Sequence, residues 1–194
     1  MKKITKLAFF ACTAAGLFFT SCSSHNEEKS EGEVTNDIAK DVNKDMLEGQ
    51  KQTDAKHIVE IYGGSMCEVA LGEQAAAKAS TKSVKDVANM MVTDHKEMNQ
   101  KIRDLAANEQ ITLQTDISDD AKNEIADLGK KTGKDYDKEF IDKAIKKHKD
   151  AISTAEDLAE NGYNDQIKSF FAGALPALKH HLAMAEEAKA MLDK

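Results

Sequence analysis

The sequence predicts an all-α protein, a four-helix bundle with a short extra helix between its second and third long helices. Trp is absent, Pro occurs once and aromatic residues make up 5% of the 194 residues, a composition typical of helical proteins. Four long segments carry apolar residues at helical spacing, with one inward stripe in each. Short links join the first two segments and the last two, so each of these pairs is expected to be antiparallel.

The boundaries of these elements follow from capping residues and from the limits of the apolar stripes. The long helices are predicted over residues 53–79, 83–108, 135–160 and 164–193, which together form a bundle domain over 53–194. Thr53 or Asp54 is expected to cap the first of them. Ser118 is predicted to cap the short extra helix, with Gly133 as a later stop. We expect this connecting arm to cross one end of the bundle.

The N-terminal segment, residues 1–21, has the layout of an export signal. A basic start precedes an apolar run that is too short for a comfortable membrane span, and small residues then precede Cys22. This order resembles a bacterial lipoprotein signal peptide, and it predicts cleavage before Cys22 and acylation of that residue. The acyl chains would anchor the protein to a membrane of the cell envelope. We expect the outer membrane, with the protein facing the periplasm or the surface; the alternative is an ordinary secretory signal with an incidental Cys.

Residues 22–52 are polar and acidic, which is typical of a flexible tether. A short amphipathic helix is possible within the tether, because three apolar residues follow one another at intervals of four: Ile38, Val42 and Met46.

Charge and cysteine content exclude several classes of function. The formal net charge of −7 becomes −10 without the three lysines of the first 21 residues, and Arg103 is the only arginine. Nucleic-acid binding is therefore not expected, because phosphate contacts need clustered basic residues. Of the three cysteines, only Cys67 lies in the bundle, so no internal disulfide is expected.

One polar, metal-capable residue interrupts the apolar stripe of each long helix: Glu68, His95, His148 and His181. A single inward His is commonly a core residue with a hydrogen-bond partner, but recurrence on four helices favours a shared site. Three imidazoles and a carboxylate suit Zn, Fe, Mn or Cu. The depth of His181 is the weak point. It lies farther from its hairpin turn than His148 does, by roughly 7 Å on straight helices, which leaves open whether it joins the site.

Two other metal chemistries receive less support. Di-iron bundles use a Glu three residues before a His on two helices. Here those positions hold Val92, Ile145 and Leu178, so neither an oxygen-activating di-iron centre nor a ferritin-type iron store is supported. Sulfur ligands would suit Cu(I), and the candidates are Met66, Cys67, Met91, Met98 and Met184. Met at helical spacing, however, more commonly fills a core.

Four motifs follow one another along the bundle: GGSMCEVALGEQAAAKA (63–79), VKDVANMMVTDH (84–95), YDKEFIDKAIKKH (136–148) and LPALKHHL (175–182). In this order they resemble a family of bacterial envelope proteins, domain-of-unknown-function family 4142, which is ferritin-like and often labelled predicted outer-membrane protein. The resemblance implies an exported protein with a ferritin-like, up-down four-helix fold. It implies the motif positions Glu68, Asp94, His95, His148 and His181. It implies no established activity.

The leading hypothesis is a lipid-anchored envelope protein that binds a metal ion through its inward Glu and His residues. Asp94 would support the site from outside, and the role would lie in metal handling or stress protection, with no defined reaction. The alternative is a structural or protein-interaction module without metal, in which Glu and His pair with each other. A third hypothesis, an acid–base enzyme, needs a water-accessible pocket, for which the sequence shows no gap.

Overall fold

The computed structural model describes residues 33–194, so the predicted signal segment and Cys22 lie outside the described residues. Within 33–194 the chain forms no strand and six helices: α1 (Asn36–Met46), α2 (Gly49–Lys78), α3 (Lys82–Glu109), α4 (Asp119–Gly129), α5 (Gly133–Asn161) and α6 (Asp165–Leu192). The four long helices, with the short α4 in the middle, confirm the predicted all-α bundle. In this part of the chain, no helix is both long enough and apolar enough to cross a membrane.

Hydrogen bonds at the two ends of the bundle define the directions of its helices. At one end, the buried Asp137 near the start of α5 accepts hydrogen bonds of 2.9 Å from the backbone N–H groups of Ser80 and Thr81, which link α2 to α3. At the other end, the Asp54 carboxylate of α2 accepts a hydrogen bond from the backbone of Tyr163, between α5 and α6. Helices α3 and α5 therefore start at the same end and run parallel.

The connection over residues 110–132 runs along the bundle, not across its end as the sequence suggested. Gln114, early in the connection, donates a hydrogen bond of 3.2 Å to the carbonyl of Val59 in the first half of α2. Gln74, near the end of α2, donates one of 3.2 Å to the carbonyl of Ile125 in α4. Because α3 and α5 run parallel, α3 ends at the end of the bundle opposite to the one where α5 starts. The connection must therefore run back over the full length of the bundle.

Helix α2 begins at Gly49, four residues before the predicted cap at Thr53 or Asp54. Asp54 is 1% exposed inside the helix. Its carboxylate accepts a hydrogen bond from the backbone N–H of Tyr163 in the other hairpin instead of capping its own helix. The capping preference of Asp was therefore a misleading signal, because the same acceptor chemistry was used for a contact between distant parts of the chain.

The boundary between α4 and α5 also differs in part from the expectation. Ser118 caps α4 as predicted, and its hydroxyl accepts a hydrogen bond from the N–H of Ala121. Gly133 does not stop this helix, because α4 already ends at Gly129 and Gly133 is the first residue of α5. Gly133 has a left-handed φ of 57°, which glycine adopts without a steric penalty.

The short helix considered possible within residues 22–52 is present as α1, but its buried face is not the predicted one. The Asn43 side chain exchanges two hydrogen bonds with the backbone of Thr112, of 2.9 Å and 2.8 Å. This pairing turns Asn43 inward and leaves Ile38 39% and Met46 72% exposed. The orientation of α1 is thus set by a polar contact with the connecting segment and not by its apolar stripe.

The apolar core of the bundle has two parts. One part includes Met91 and Phe140 and extends to the α2–α3 turn. The other includes Ile58 and Phe171 and extends to the α5–α6 turn. On α3, α5 and α6, the predicted His falls in the sequence interval between these two sets, and on α2 Glu68 directly follows Cys67, the first residue of the set that extends to the α2–α3 turn. A polar layer therefore lies where the two apolar parts meet.

Candidate metal centre

The four residues predicted to face inward are all buried: Glu68, His95, His148 and His181 are 3%, 3%, 0% and 3% exposed. Each comes from a different long helix. Burying such groups without polar partners is costly, so the fold can accept them only if they satisfy one another or hold a ligand. Their mutual geometry therefore decides what the layer can do.

Three imidazole nitrogens converge on one point. His148 Nε2 lies 3.4 Å from His95 Nε2 and 3.2 Å from His181 Nδ1. All three nitrogens lie within 4.8 Å of one another. A tetrahedral ion with metal–nitrogen bonds of about 2.0–2.1 Å holds neighbouring ligand atoms about 3.3 Å apart. The two shortest nitrogen–nitrogen distances therefore match the spacing of ligands around a small metal ion. His181 belongs to this cluster, although counting residues placed it deeper than His148.

The outward-facing nitrogen of each ring has a partner that fixes the ring. His95 Nδ1 lies 2.8 Å from Ser65 Oγ, and His148 Nδ1 lies 2.8 Å from the carbonyl oxygen of Ala144. His181 Nε2 lies 2.8 Å from a carboxylate oxygen of Asp94, the residue expected to support the site from outside. Such contacts orient the rings and leave the opposite nitrogens free to bind a metal.

Glu68 lies against two of the rings but outside the mutually close set. Its Oε1 is 3.0 Å from His148 Nδ1, and its Oε2 is 3.5 Å from His95 Nε2. Oε1 makes no hydrogen bond of acceptable geometry, because His148 Nδ1 also faces the carbonyl of Ala144. A buried carboxylate is costly without positive charge nearby, and a cation at the converging nitrogens would lie on the side of Oε2 and lower that cost.

Electrostatics keep two of the imidazoles neutral. Burial lowers the pKa of His95 to about 4, although the Glu68 carboxylate opposes the shift. Burial also lowers the pKa of His181, against the effect of its hydrogen bond with Asp94. Neutral imidazole is the form that binds a metal ion, so these two rings are ready to act as ligands near neutral pH.

The remaining two groups, Glu68 and His148, favour each other's charged forms when no metal is bound. Burial by itself would raise the pKa of Glu68, but the neighbouring His95 and His148 outweigh it and lower that pKa. Burial by itself would lower the pKa of His148, but Glu68 and the carbonyl of Ala144 raise it above 6.5. A metal ion would therefore have to replace a proton on His148.

A cavity of about 260 Å³ reaches this layer from the side of the bundle. Glu68, His95 and Ser65 line it, and Gly64 and Lys147 lie along it nearer the surface. The expectation that no gap adjoins the polar residues is therefore wrong. The gap exists because glycine and serine occupy two consecutive positions of α2 that face it, where larger side chains would fill the space.

Several other residues considered from sequence lie apart from the cluster. The thiol of Cys67 lies 3.9 Å from a carboxylate oxygen of Glu124 in α4, and burial raises its pKa. The group of converging ligand atoms consists of the three imidazoles and does not include this sulfur. His180 is exposed on the outer face of α6, as its phase predicts.

Sequence reasoning missed the role of Ser65. Its hydroxyl lies 2.8 Å from His95 Nδ1, and it is 4% exposed. The available signal was its position on the inward stripe of α2, one turn before Glu68. A small hydroxyl residue facing a core that contains His is a natural hydrogen-bond partner for the ring.

Comparison with known proteins gives a family but no activity. No curated protein and no solved structure gives a significant match to the chain. The family described as "Domain of unknown function (DUF4142)" matches residues 42–188, a range that contains all five motif positions. This match covers most of the chain and confirms the resemblance seen in the motifs. The protein therefore belongs to the DUF4142 family of domains of unknown function.

Proposed function

We propose that the bundle binds one transition-metal ion through His95, His148 and His181, with Glu68 as the fourth protein group at the ion. The observation that carries this proposal is the convergence of three imidazole nitrogens, two pairs of which are 3.2 Å and 3.4 Å apart. Support also comes from the partners of the outer nitrogens and from the buried Glu68 carboxylate, whose Oε2 lies 3.5 Å from the converging nitrogen of His95. All of these features have a single explanation if a cation occupies the layer.

The donor set suits a borderline divalent ion. Three neutral imidazoles leave the ion's charge intact, and the Glu68 carboxylate reduces a charge of +2 to +1, which lowers the cost of burial. Nitrogen and oxygen ligands of this kind are compatible with Zn, Fe, Mn or Cu(II), and tetrahedral spacing favours Zn²⁺ among them. The role that follows is metal handling in the envelope or protection against metal stress.

The envelope location rests on the N-terminal sequence. Residues 1–21 would be removed as a signal peptide, Cys22 would be acylated, and residues 22–52 would connect the lipid anchor to the bundle over 53–194. The anchored protein would lie at the outer membrane, facing the periplasm or the surface. Labelling of growing cells with a radioactive fatty acid tests this directly. The wild-type protein should incorporate the label, and a Cys22→Ser variant should not; equal labelling of both would refute the anchor.

A metal-content experiment tests the site. Protein purified without a histidine tag is incubated with Zn²⁺, Fe²⁺, Mn²⁺ or Cu²⁺ in turn, freed of unbound ions by gel filtration, and analysed by mass spectrometry for metals. We expect close to one ion per chain in the wild type. The combined His95→Ala and His148→Ala variant should carry almost none. His180→Ala, which removes an exposed imidazole next to the site, is the matched control and should behave as the wild type.

A second function remains a candidate because Glu68 and His148 already lie against each other without a metal ion. Glu68 Oε1 lies 3.0 Å from His148 Nδ1, and the two pKa shifts describe an ion pair. A structural or protein-interaction module with an internally paired core would need nothing more. Its melting temperature should not respond to chelators or added metal, whereas an ion bound only to the native state must raise stability. Equal, negligible metal content in the wild type and in the variant without His95 and His148 would favour this module.

A further inference from the structure

The cavity beside the metal centre is more than a packing defect. It has a volume of about 260 Å³, and it extends from Lys147 and Gly64, which are partly exposed, to the buried Glu68 and His95. A second cavity of about 300 Å³ shares Gly64 and Lys147 with the first and lies on the outer side of α2. The first cavity itself extends from partly exposed residues at the surface of the bundle to two of the candidate metal ligands.

The walls of the inner cavity are mainly apolar. Phe171 and Leu178 line it deep in the bundle, and Met98, Ile61 and Ala151 line it nearer the surface. An apolar cavity of 150 Å³ holds one benzene ring, and pockets for drug-sized ligands begin at about 300 Å³. The volume therefore suits a molecule of about ten non-hydrogen atoms with a flat or short aliphatic body.

The charges around the cavity disfavour a charged ligand. Lys147 Nζ is already paired with Glu124 at 2.9 Å, so it does not offer a free cation to an incoming anion. The Glu68 carboxylate stands at the inner end, where it would repel an anion and already balances part of the charge of a bound ion. The carboxylates of Glu60 and Asp150 at the rim are paired with Lys40 and Lys146, and a bound metal ion would repel a cationic ligand. A neutral molecule meets none of these penalties.

We propose that this cavity binds a small, uncharged molecule whose apolar body lies against Phe171 and Leu178 and whose nitrogen, sulfur or hydroxyl donor reaches the ion at the His cluster as a fifth ligand. This inference rests on the proposed metal site, because the donor end needs an ion to bind. It adds a ligand class and an access route to that site. The protein would then sense, carry or detoxify such molecules, or the bound molecule would alter the properties of the metal ion.

Two glycines of the long helices offer a matched pair of variants. A Cβ added at Gly64 would meet no atom within 4 Å, and the residue lines the cavity. A Cβ added at Gly173 also meets no atom within 4 Å, but this residue is exposed on α6. Leucine at either position should improve helix propensity equally. Only Gly64→Leu, however, places a side chain in the cavity.

The experiment uses protein loaded with Co²⁺, whose visible spectrum changes when a new ligand binds the ion. Wild type, Gly64→Leu and Gly173→Leu are titrated with imidazole and with 4-phenylimidazole, which has the same neutral donor and an added apolar ring. In the wild type and in Gly173→Leu, we expect 4-phenylimidazole to bind at least about tenfold more tightly, because its ring is buried. Gly64→Leu should bind one Co²⁺ but lose this preference.

The ways in which this experiment can fail are distinguishable. If the wild type binds no Co²⁺, the proposed function is wrong and this inference falls with it. If Co²⁺ binds in all three proteins but 4-phenylimidazole shows no advantage over imidazole in the wild type, only the ligand cavity is refuted. The ligand cavity is also refuted if the advantage survives unchanged in Gly64→Leu. Circular dichroism and bound Co²⁺ per chain establish that each variant is folded and loaded before the titration.

Discussion

The metal-free protein should be most stable near pH 6.5 and should lose stability on both sides of that value. The acid side depends chiefly on His95, whose pKa falls from 6.5 to about 4 on folding because the ring is buried. Between these two values the unfolded chain binds a proton that the native protein does not, so stability falls as pH falls. Each pKa unit corresponds to about 1.4 kcal/mol, which gives a loss of about 2–3 kcal/mol between pH 7 and pH 4.5.

The other groups of the layer determine the rest of the profile. His181 has a lowered pKa and acts in the same direction as His95. Glu68 also has a lowered pKa, so its contribution is present above the unfolded value of 4.5 and is lost as pH falls through the folded value. His148 acts in the opposite direction. Its pKa is raised above 6.5, so its contribution is complete below 6.5 and is lost as pH rises through the folded value.

Urea unfolding of chelator-treated protein between pH 4.5 and pH 8.5 measures this profile. His95→Gln keeps a polar side chain but does not titrate, so its acid-side slope should be clearly smaller than that of the wild type. His180→Ala is the control, because this exposed ring does not belong to the layer, and its profile should match the wild type. A wild-type stability that stays constant from pH 7 to pH 4.5, or an unchanged slope in His95→Gln, would refute the electrostatic description of the site.

Three further predictions concern metal binding and the packing of the chain. First, an ion at 100 times its dissociation constant should stabilise the native protein by about 2.7 kcal/mol, or about 5–11 °C in melting temperature for a domain of this size. His148→Ala should abolish that increment in a thermal melt with and without chelator; an increment of the same size would mean that the ion binds elsewhere. Second, Asp137→Ala should lower the free energy of unfolding by about 2–4 kcal/mol, because it leaves two partly buried backbone N–H groups and a hydroxyl without their acceptor. Denaturant titration against the exposed Asp135→Ala measures this, and equal stability of the two variants would contradict it. Third, Asn43→Ala should free α1 from the connecting segment, because it removes both hydrogen bonds to Thr112. Hydrogen exchange should then increase in α1 and not in α5; unchanged protection of α1 would show that these bonds do not hold it.

The elements of the fold were largely readable from the sequence, because each long helix has a stripe of apolar residues and a short hairpin link. Predictions from local sequence patterns were wrong where a polar side chain forms a hydrogen bond with a residue far away in the sequence. Asp54 looked like a helix cap but accepts a hydrogen bond from Tyr163 in the other hairpin. Asn43 reorients α1 through its contact with Thr112. Nothing in the local pattern identifies these partners, which only the packed structure brings together.

The path of residues 110–132 could not be predicted for a related reason. The sequence shows two hairpins, but it does not show whether the second starts at the near or the far end of the first. The buried Asp137 settles the question, since it caps the α2–α3 turn from the first turns of α5. A carboxylate near a helix start usually stabilises its own helix, so its sequence position did not reveal this role.

The site was predictable as a set of residues but not as a geometry. Periodicity identified Glu68 and the three His residues as inward, yet counting residues put His181 roughly 7 Å deeper than His148. Side chains on an α-helix lean toward its N-terminus, so His148 leans away from the α5–α6 turn while His181 leans toward it. The two leans have opposite directions and close the offset, which explains the separation of 3.2 Å between the ring nitrogens.

The cavity was missed because periodicity describes which residues face inward and not whether they fill the space. Gly64 and Ser65 are adjacent small residues on α2, and together they leave the volume of about 260 Å³ beside the polar layer. A run of small residues next to an inward Glu is therefore a signal worth testing in related sequences. It indicates space at the point where a ligand would reach a buried functional group.

X-ray absorption spectroscopy of the zinc-loaded protein tests the central claim most directly, because it counts the ligands of the ion and measures their distances. We predict three imidazole nitrogens and one carboxylate oxygen at about 2.0–2.1 Å. The His180→Ala variant should give the same spectrum. A shell of six oxygen atoms without the scattering pattern of imidazole would contradict the proposed site, and so would a spectrum that is unchanged when His95 and His148 are both replaced by Ala.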